Sequence, residues 1–230
     1  RAKIPEYPHD GPESRFNAEQ NAIVVKNAEH YYRAMVRSNA GSWNIRDRHM
    51  AETLDRLMKH HGDGAKAIVW EHNTHIGDAR ATDMAGQGMV NVGQLVRESH
   101  GADGVVLVGF ASHRGSVIAG DEWGAPMRAM PVPRAREGSW EDVLHRADDA
   151  NKLLIFSEAH ALDGLLEPRG HRAIGVVYDP DRERYGNYVP TVLPLRYDAL
   201  LYLDQTRALH PLHLQPSRSH EVPETYPVGV

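Results

Sequence analysis

Apolar positions along the chain change period several times, and each change predicts an element. From about Asn17 to Asn39, Ile23, Val24, Asn27, Ala28, Tyr31 and Met35 recur at spacings of three and four, which predicts an amphipathic helix. Gly41 is expected to end it, with Ser42 or Asn44 capping a second helix from about Arg46 to His61. Met50, Leu54, Leu57 and Met58 form the inner face of that helix, and Gly62 and Gly64 close it. The period then collapses to a short apolar run, Ala67-Ile68-Val69-Trp70, bounded by polar residues and read as a buried strand. Asn91 introduces a short helix with Val92, Leu95 and Val96 inward. Val105 to Phe110 is a β-branched strand. The glycine- and proline-rich stretch 111–136 is expected to be a long functional loop. Ser139-Trp140-Glu141-Asp142 resembles a capping box opening a helix to about Asn151. Leu153–Phe156, Arg172–Tyr178 and Ala199–Asp204 complete the strands, and residues 1–16 and 212–230 read as irregular. Strands alternating with helices predict one α/β unit over 1–230, with a mixed, largely parallel sheet and helices on both faces.

Composition narrows the functional classes. Hydrophobic residues make up 41% and charged residues 25% of the 230 positions, as in ordinary globular domains. The net charge of −5 with histidine neutral leaves no basic surface for nucleic acid or an anionic membrane. No apolar run approaches the ~20 residues that span a bilayer. With no cysteine there are no disulfides or thiolate ligands, and a reducing, cytoplasmic location is the expectation. No cofactor is expected: Gly86, Gly88 and Gly93 do not form a dinucleotide fingerprint, and no Gly-Lys-Ser/Thr follows. Ser112 follows a strand without the Gly-x-Ser-x-Gly elbow of a nucleophile.

The densest chemistry is Glu71-His72-Asn73-Thr74-His75-Ile76-Gly77-Asp78-Ala79-Arg80, directly after the Ala67–Trp70 run. Ionisable groups at the carboxyl edge of a sheet lie where open α/β folds keep ligands. A neutral imidazole there can move a proton or donate to a developing oxyanion, and Glu71 can orient or charge-balance it. His72, His75 and Asp78, spaced by three, also suit zinc or iron in principle. No His-Glu-x-x-His motif accompanies them, and no metal site is assigned. Arg46, in the charged run Arg46-Asp47-Arg48-His49, is a candidate anion binder. Tyr185, Tyr188 and Tyr197 with Arg182, Arg184 and Arg196 read either as lining a pocket or as an ordinary strand connection.

Several blocks together resemble the erythromycin esterase family: Trp43 to Met50, Glu71 to Arg80, Asn91 to Glu98, Arg172 to Tyr178, and Asp198 to Pro211 with Asp204-Gln205-Thr206-Arg207-Ala208-Leu209. The resemblance implies an EreA/ChaN-like three-layer α/β fold. It also implies hydrolysis of a small-molecule ester, in named members a macrolide lactone, by an activated water and without a cofactor. It places His72 at the active-site histidine of a His-Asn-x-His block, with His75 and Glu71 as catalytic partners. Asn73, Asp78, Arg80 and Arg46 are the expected substrate contacts. The family's Gly-Glu-x-Thr-His-Gly segment, whose histidine is the general base, is not among these residues, and the first residue is Arg1. The expectation is therefore a C-terminal portion of a longer protein, incomplete as a fold and inactive alone. The alternative from another class is a histidine-rich module binding a metal or haem.

Overall fold

The structure, a computed structural model, describes residues 11–36, 39–122, 124–156 and 164–210. Two long helices open it, α1 (Pro12–Met35) and α2 (Asn39–His61). Helix α1 begins well inside the segment expected to be irregular, with Pro12 in its first turn, where a missing N–H costs nothing. Residues 1–10 and 211–230 of the two expected irregular ends lie outside the described residues. The helices run antiparallel: Asn27 Nδ2 meets His49 Nδ1 at 2.8 Å, and Phe16 stacks on His60 near the far end.

Gly41 does not terminate a helix, and Ser42 and Asn44 do not cap one; all three lie within α2. Tertiary anchors override their local preference. Trp43 Nε1 donates to the Val90 carbonyl at 2.7 Å, while Asn44 accepts from Val90 N and donates to Gly88 O.

The segment 67–70 is not a buried strand. It forms no ladder, and Ile68 and Trp70 are 95% and 82% exposed. Apolar content alone cannot make a strand that no neighbour pairs. The chain then enters α3 (Asn73–Ile76), two short 3₁₀ turns, and α4 (Val92–His100). Asn91 caps α4 as expected, its Oδ1 accepting from Gln94 N at 3.0 Å.

The stretch expected to be one long loop is largely sheet. Strand β1 runs from Val108 to Ala119 and pairs antiparallel with β2 (Arg128–Val132). Its prolines and glycines misled because they sit at permissive places. Gly115 has φ +140° where the chain passes against Thr206, and Pro131 lies in β2, which β1 pairs on one side. Ser139 caps α5 (Trp140–Ala147), its Oγ accepting from Asp142 N, but the Asp142 carboxylate accepts from Gly138 N and does not close a capping box; β3 (Lys152–Ile155) follows. The expected strand at Arg172–Tyr178 is displaced toward the N-terminus. A two-stranded ladder joins β4 (Arg169–Arg172) to β5 (Tyr188–Thr191) across the short α6 (Glu183–Gly186). Of residues 173–178 only Val177 bridges, to Gly120. Helix α7 (Leu193–Arg196) leads into β6 (Ala199–Gln205).

The main sheet has the order β2-β1-β6-β3. Its central pair, β1–β6, is parallel, and the pairs on either side are antiparallel. The mixed α/β class expected from sequence is the one the chain adopts. Alternation along β1 and β6 puts Ala111, Leu200 and Tyr202 into a core with Val92, Val96, Trp140, Leu144 and Tyr197, each large side chain adding about 1.5–3 kcal/mol by burial. Paired positions on the opposite face are open among the described residues: Leu153 and Ile155 are 61% and 66% exposed, and Val108 and Phe110 more than a third.

Candidate active site

Helix α2 supplies three residues on one face of its early turns: Trp43, Arg46 and Asp47, spaced by three and four. They meet His75 from α3. His75 Nδ1 lies 2.8 Å from Asp47 Oδ1, and Arg46 Nη2 lies 3.2 Å from His75 Nε2. A carboxylate only accepts and a guanidinium only donates. Both contacts are met by the imidazole tautomer with its proton on Nδ1 and its lone pair on Nε2. The indole of Trp43 stacks on the imidazole at 4.6 Å and 4°, and the Arg46 guanidinium lies 4.6 Å from the centre of the Trp43 ring. Asp47 is fully buried and also accepts from Val92 N at 3.3 Å, which fixes the carboxylate to the start of α4.

Two backbone devices hold α3 there. Asn91 donates from Nδ2 to the carbonyls of Thr74 and Gly77. At Gly93 a Cβ would collide with the Ile76 carbonyl, so the close approach of α4 to α3 requires glycine.

Glu71 sits beside this dyad. Burial pushes its carboxyl above the ordinary 4.5, and Asp47 adds to the rise against the opposing fields of His75 and Arg46. Its Oε2 is buried without a hydrogen-bond partner. Glu71 and His49 stand at one end of an open-sided groove of about 800 Å³ between α2 and residues 65–71, walled by Met50, Leu54, Leu57, Met58, Ile68 and Val69.

The other expected site residues take different places. His72 caps α3: its Nδ1 accepts from Thr74 N, and its Nε2 donates to the Ile174 carbonyl. Burial lowers its pKa from 6.5, and both ring nitrogens are engaged. Asn73 turns to the free edge of β1, giving Nδ2 to Phe110 O and accepting from Phe110 N at 3.1 Å. Asp78 caps a 3₁₀ turn and binds Arg80 through both oxygens, with Arg97 at 3.3 Å. Burial alone would raise the Asp78 carboxyl, but the two arginines hold it below its ordinary value. Arg46, Glu71 and His75 thus converge, whereas His72, Asn73, Asp78 and Arg80 bond to the surrounding scaffold. Asp47 and Trp43 received no role from sequence; their shared face with Arg46 was the available signal. The tyrosines and arginines of 182–197 do not line one pocket: Tyr185 is 81% exposed, and Tyr197 and Arg196 are in the core.

A second histidine–acid pair lies deeper. His171 Nδ1 donates to Glu141 Oε1 at 2.6 Å, with both residues buried and Arg172 N donating to the same oxygen. Burial would raise Glu141, but its contact with His171 brings it below its ordinary value. Among the described residues no group of three or more His, Asp or Glu side chains is arranged to hold a metal ion.

A mixed α/β domain with an ordered imidazole–carboxylate dyad, an arginine and a buried acid at its edge has the parts that acid–base hydrolysis uses. The erythromycin esterase family model matches residues 1–206, and the chain belongs to that family. Membership suggests an ester hydrolase. Among solved structures, a succinoglycan biosynthesis protein is 18% identical over 86% of this chain and 52% of its own, with a TM-score of 0.59. A Bacillus cereus protein is 18% identical over 73% of this chain and 40% of its own, at 0.56. An erythromycin esterase in its open conformation matches 70% of this chain and 37% of its own, at 18% identity and a TM-score of 0.48. These likenesses concern the fold, and the chain spans about half or less of the length of the structures it matches. No helix among the described residues is long and apolar enough to cross a membrane.

Proposed function

We propose that this chain carries the histidine–acid part of a carboxylic ester hydrolase site, acting on a macrolide lactone or related ester by water attack. The observation that carries the reading is the Asp47–His75 pair, with the imidazole lone pair directed at Arg46. The water oxygen adds to the acyl carbon, the ester C–O bond breaks, and the leaving alkoxide takes a proton. His75 is the group that holds or passes that proton, and Asp47 stabilises its charged form. Arg46, whose side chain is 37% exposed, moves from Nε2 to the developing oxyanion as the substrate enters. Burial favours the protonated form of Glu71, which in that form donates to the ester oxygen. His72 acts by fixing α3. The base that deprotonates the water belongs to the family's Gly-Glu-x-Thr-His-Gly segment, which these residues lack.

The test is mass spectrometry of erythromycin after incubation with the full-length gene product, with its His75→Ala variant, and with residues 1–230 alone. The expected result is a gain of one water with the full-length product only. Near-normal turnover by His75→Ala removes His75 from the site, and robust turnover by residues 1–230 overturns the assignment of the base.

A further inference from the structure

The α2 groove ends on chemistry that its walls do not satisfy. Its sides are mostly aliphatic and thioether side chains, Met50, Leu54, Leu57, Met58, Ile68 and Val69, and its volume of about 800 Å³ falls within the range of small-molecule sites. Unbranched Met side chains adapt to flexible hydrocarbon. At the inner end stands Glu71, with one carboxyl oxygen buried and unpartnered. A buried carboxyl oxygen without a partner is costly, and a ligand in the trough relieves that cost once the Glu71 side chain turns toward it. Asp47, Arg46 and His75 face the same carboxyl, which places the trough next to the dyad.

We propose that this groove binds the aliphatic part of an uncharged ester, with the ester group held at Glu71 by a hydrogen bond from its carboxyl. The inference rests on the hydrolase reading for its placement beside His75, and it adds a substrate class: neutral esters with an extended hydrocarbon arm. A carboxylate head is disfavoured because the buried Asp47 carboxylate beside Glu71 opposes a second negative charge, and burial of Glu71 favours its protonated, donating form at that end. The other polar lining residues are His49 at the same end, Thr53, His61 and Lys66, and Thr53 spends its hydroxyl on the His49 carbonyl at 2.8 Å.

The experiment is binding of methyl decanoate and of decanoate to residues 1–230, read by ¹³C-methyl methionine NMR. Methyl decanoate is expected to shift the Met50 and Met58 methyls, and decanoate to bind at least about tenfold more weakly, as one unmet charge contact predicts. Leu57→Glu, at a position already 38% exposed, keeps the fold and abolishes the shifts. Glu71→Gln, which still offers a donor, retains neutral-ester binding, while Glu71→Leu weakens it about tenfold. Unmoved methionine signals, equal binding of ester and acid, or wild-type binding by Leu57→Glu each overturn the proposal. Binding needs no turnover, so methionine shifts without hydrolysis by the full-length product sink the hydrolase reading and leave the groove assignment standing.

Discussion

Asp47–His75 and Glu141–His171 are the same chemical pair in two settings. Both join imidazole Nδ1 to a fully buried carboxylate, at 2.8 and 2.6 Å. They differ at the other ring nitrogen. In His75 it faces an arginine that is partly in solvent, and the ring retains 16% exposure. In His171 it faces the Asn73 amide inside the protein, at 1% exposure. A histidine–acid pair is therefore no site by itself. Access to the distal nitrogen decides whether the dyad can exchange a proton with a ligand or only ties elements together. The sealed pair joins α5 to β4; the open one joins α2 to α3 beside a groove.

Mutation can break this distinction or sharpen it. The largest effect is expected for His75→Ala, a loss of about 10²–10⁴-fold in kcat of the full-length product, the usual worth of a positioned proton-transfer group. Its unfolding midpoint should move little. Glu141→Ala should invert that pattern. Leaving Arg172 N and His171 without their buried acceptor costs about 3–5 kcal/mol, measured by urea denaturation. A loss of activity without a loss of stability in Glu141→Ala would erase the contrast between the two pairs.

A smaller effect concerns pH. His72 and His113 are both held below their ordinary 6.5, first by burial and then by neighbouring positive or titratable groups. The unfolded chain therefore takes up these protons before the folded one. Stability is fully present above pH 6.5 and falls as pH drops through the lowered folded values. Glu71 contributes in the opposite sense: its stabilisation is present below 4.5 and is lost as pH rises through its raised value. His113, which packs on His145 and faces Asp204, Arg114 and Arg172, gives the cleaner test. His113→Gln should reduce the pH dependence of stability below 6.5 by at most about 1.4 kcal/mol per pH unit, followed by thermal melts between pH 7 and 5. An unchanged slope would show that His113 takes up its proton over the same pH range in the folded and unfolded states.

What could be read from the chain follows a physical divide. Elements with local signals were legible: the Asn91 and Ser139 caps, the 3.6-residue faces of α1 and α2, and the apolar run of β6. Elements that exist through distant partners were not. Strand β1 extends through glycine-bearing sequence because β2 and β6 pair with it, whereas Ala67–Trp70 has strand composition and no ladder. At the candidate site the cluster Glu71–Arg80 stood out by composition. The turn at α3 then divided it, sending His75 toward α2 and Asn73 toward β1. That division depends on Asn91 and Gly93, which lie more than a dozen residues away in sequence. Asp47 was hidden because a single acid in a charged helical turn looks like surface.

The hold of Asn73 on Phe110 has a further consequence, in the time domain. One side-chain amide occupies both backbone groups of an edge residue, as a neighbouring strand would. The Phe110 amide hydrogen is therefore released to deuterium only when α3 lifts from the sheet. His75 lies in the same single helical turn as Asn73, so the exchange rate of that one hydrogen clocks how often the open dyad comes apart.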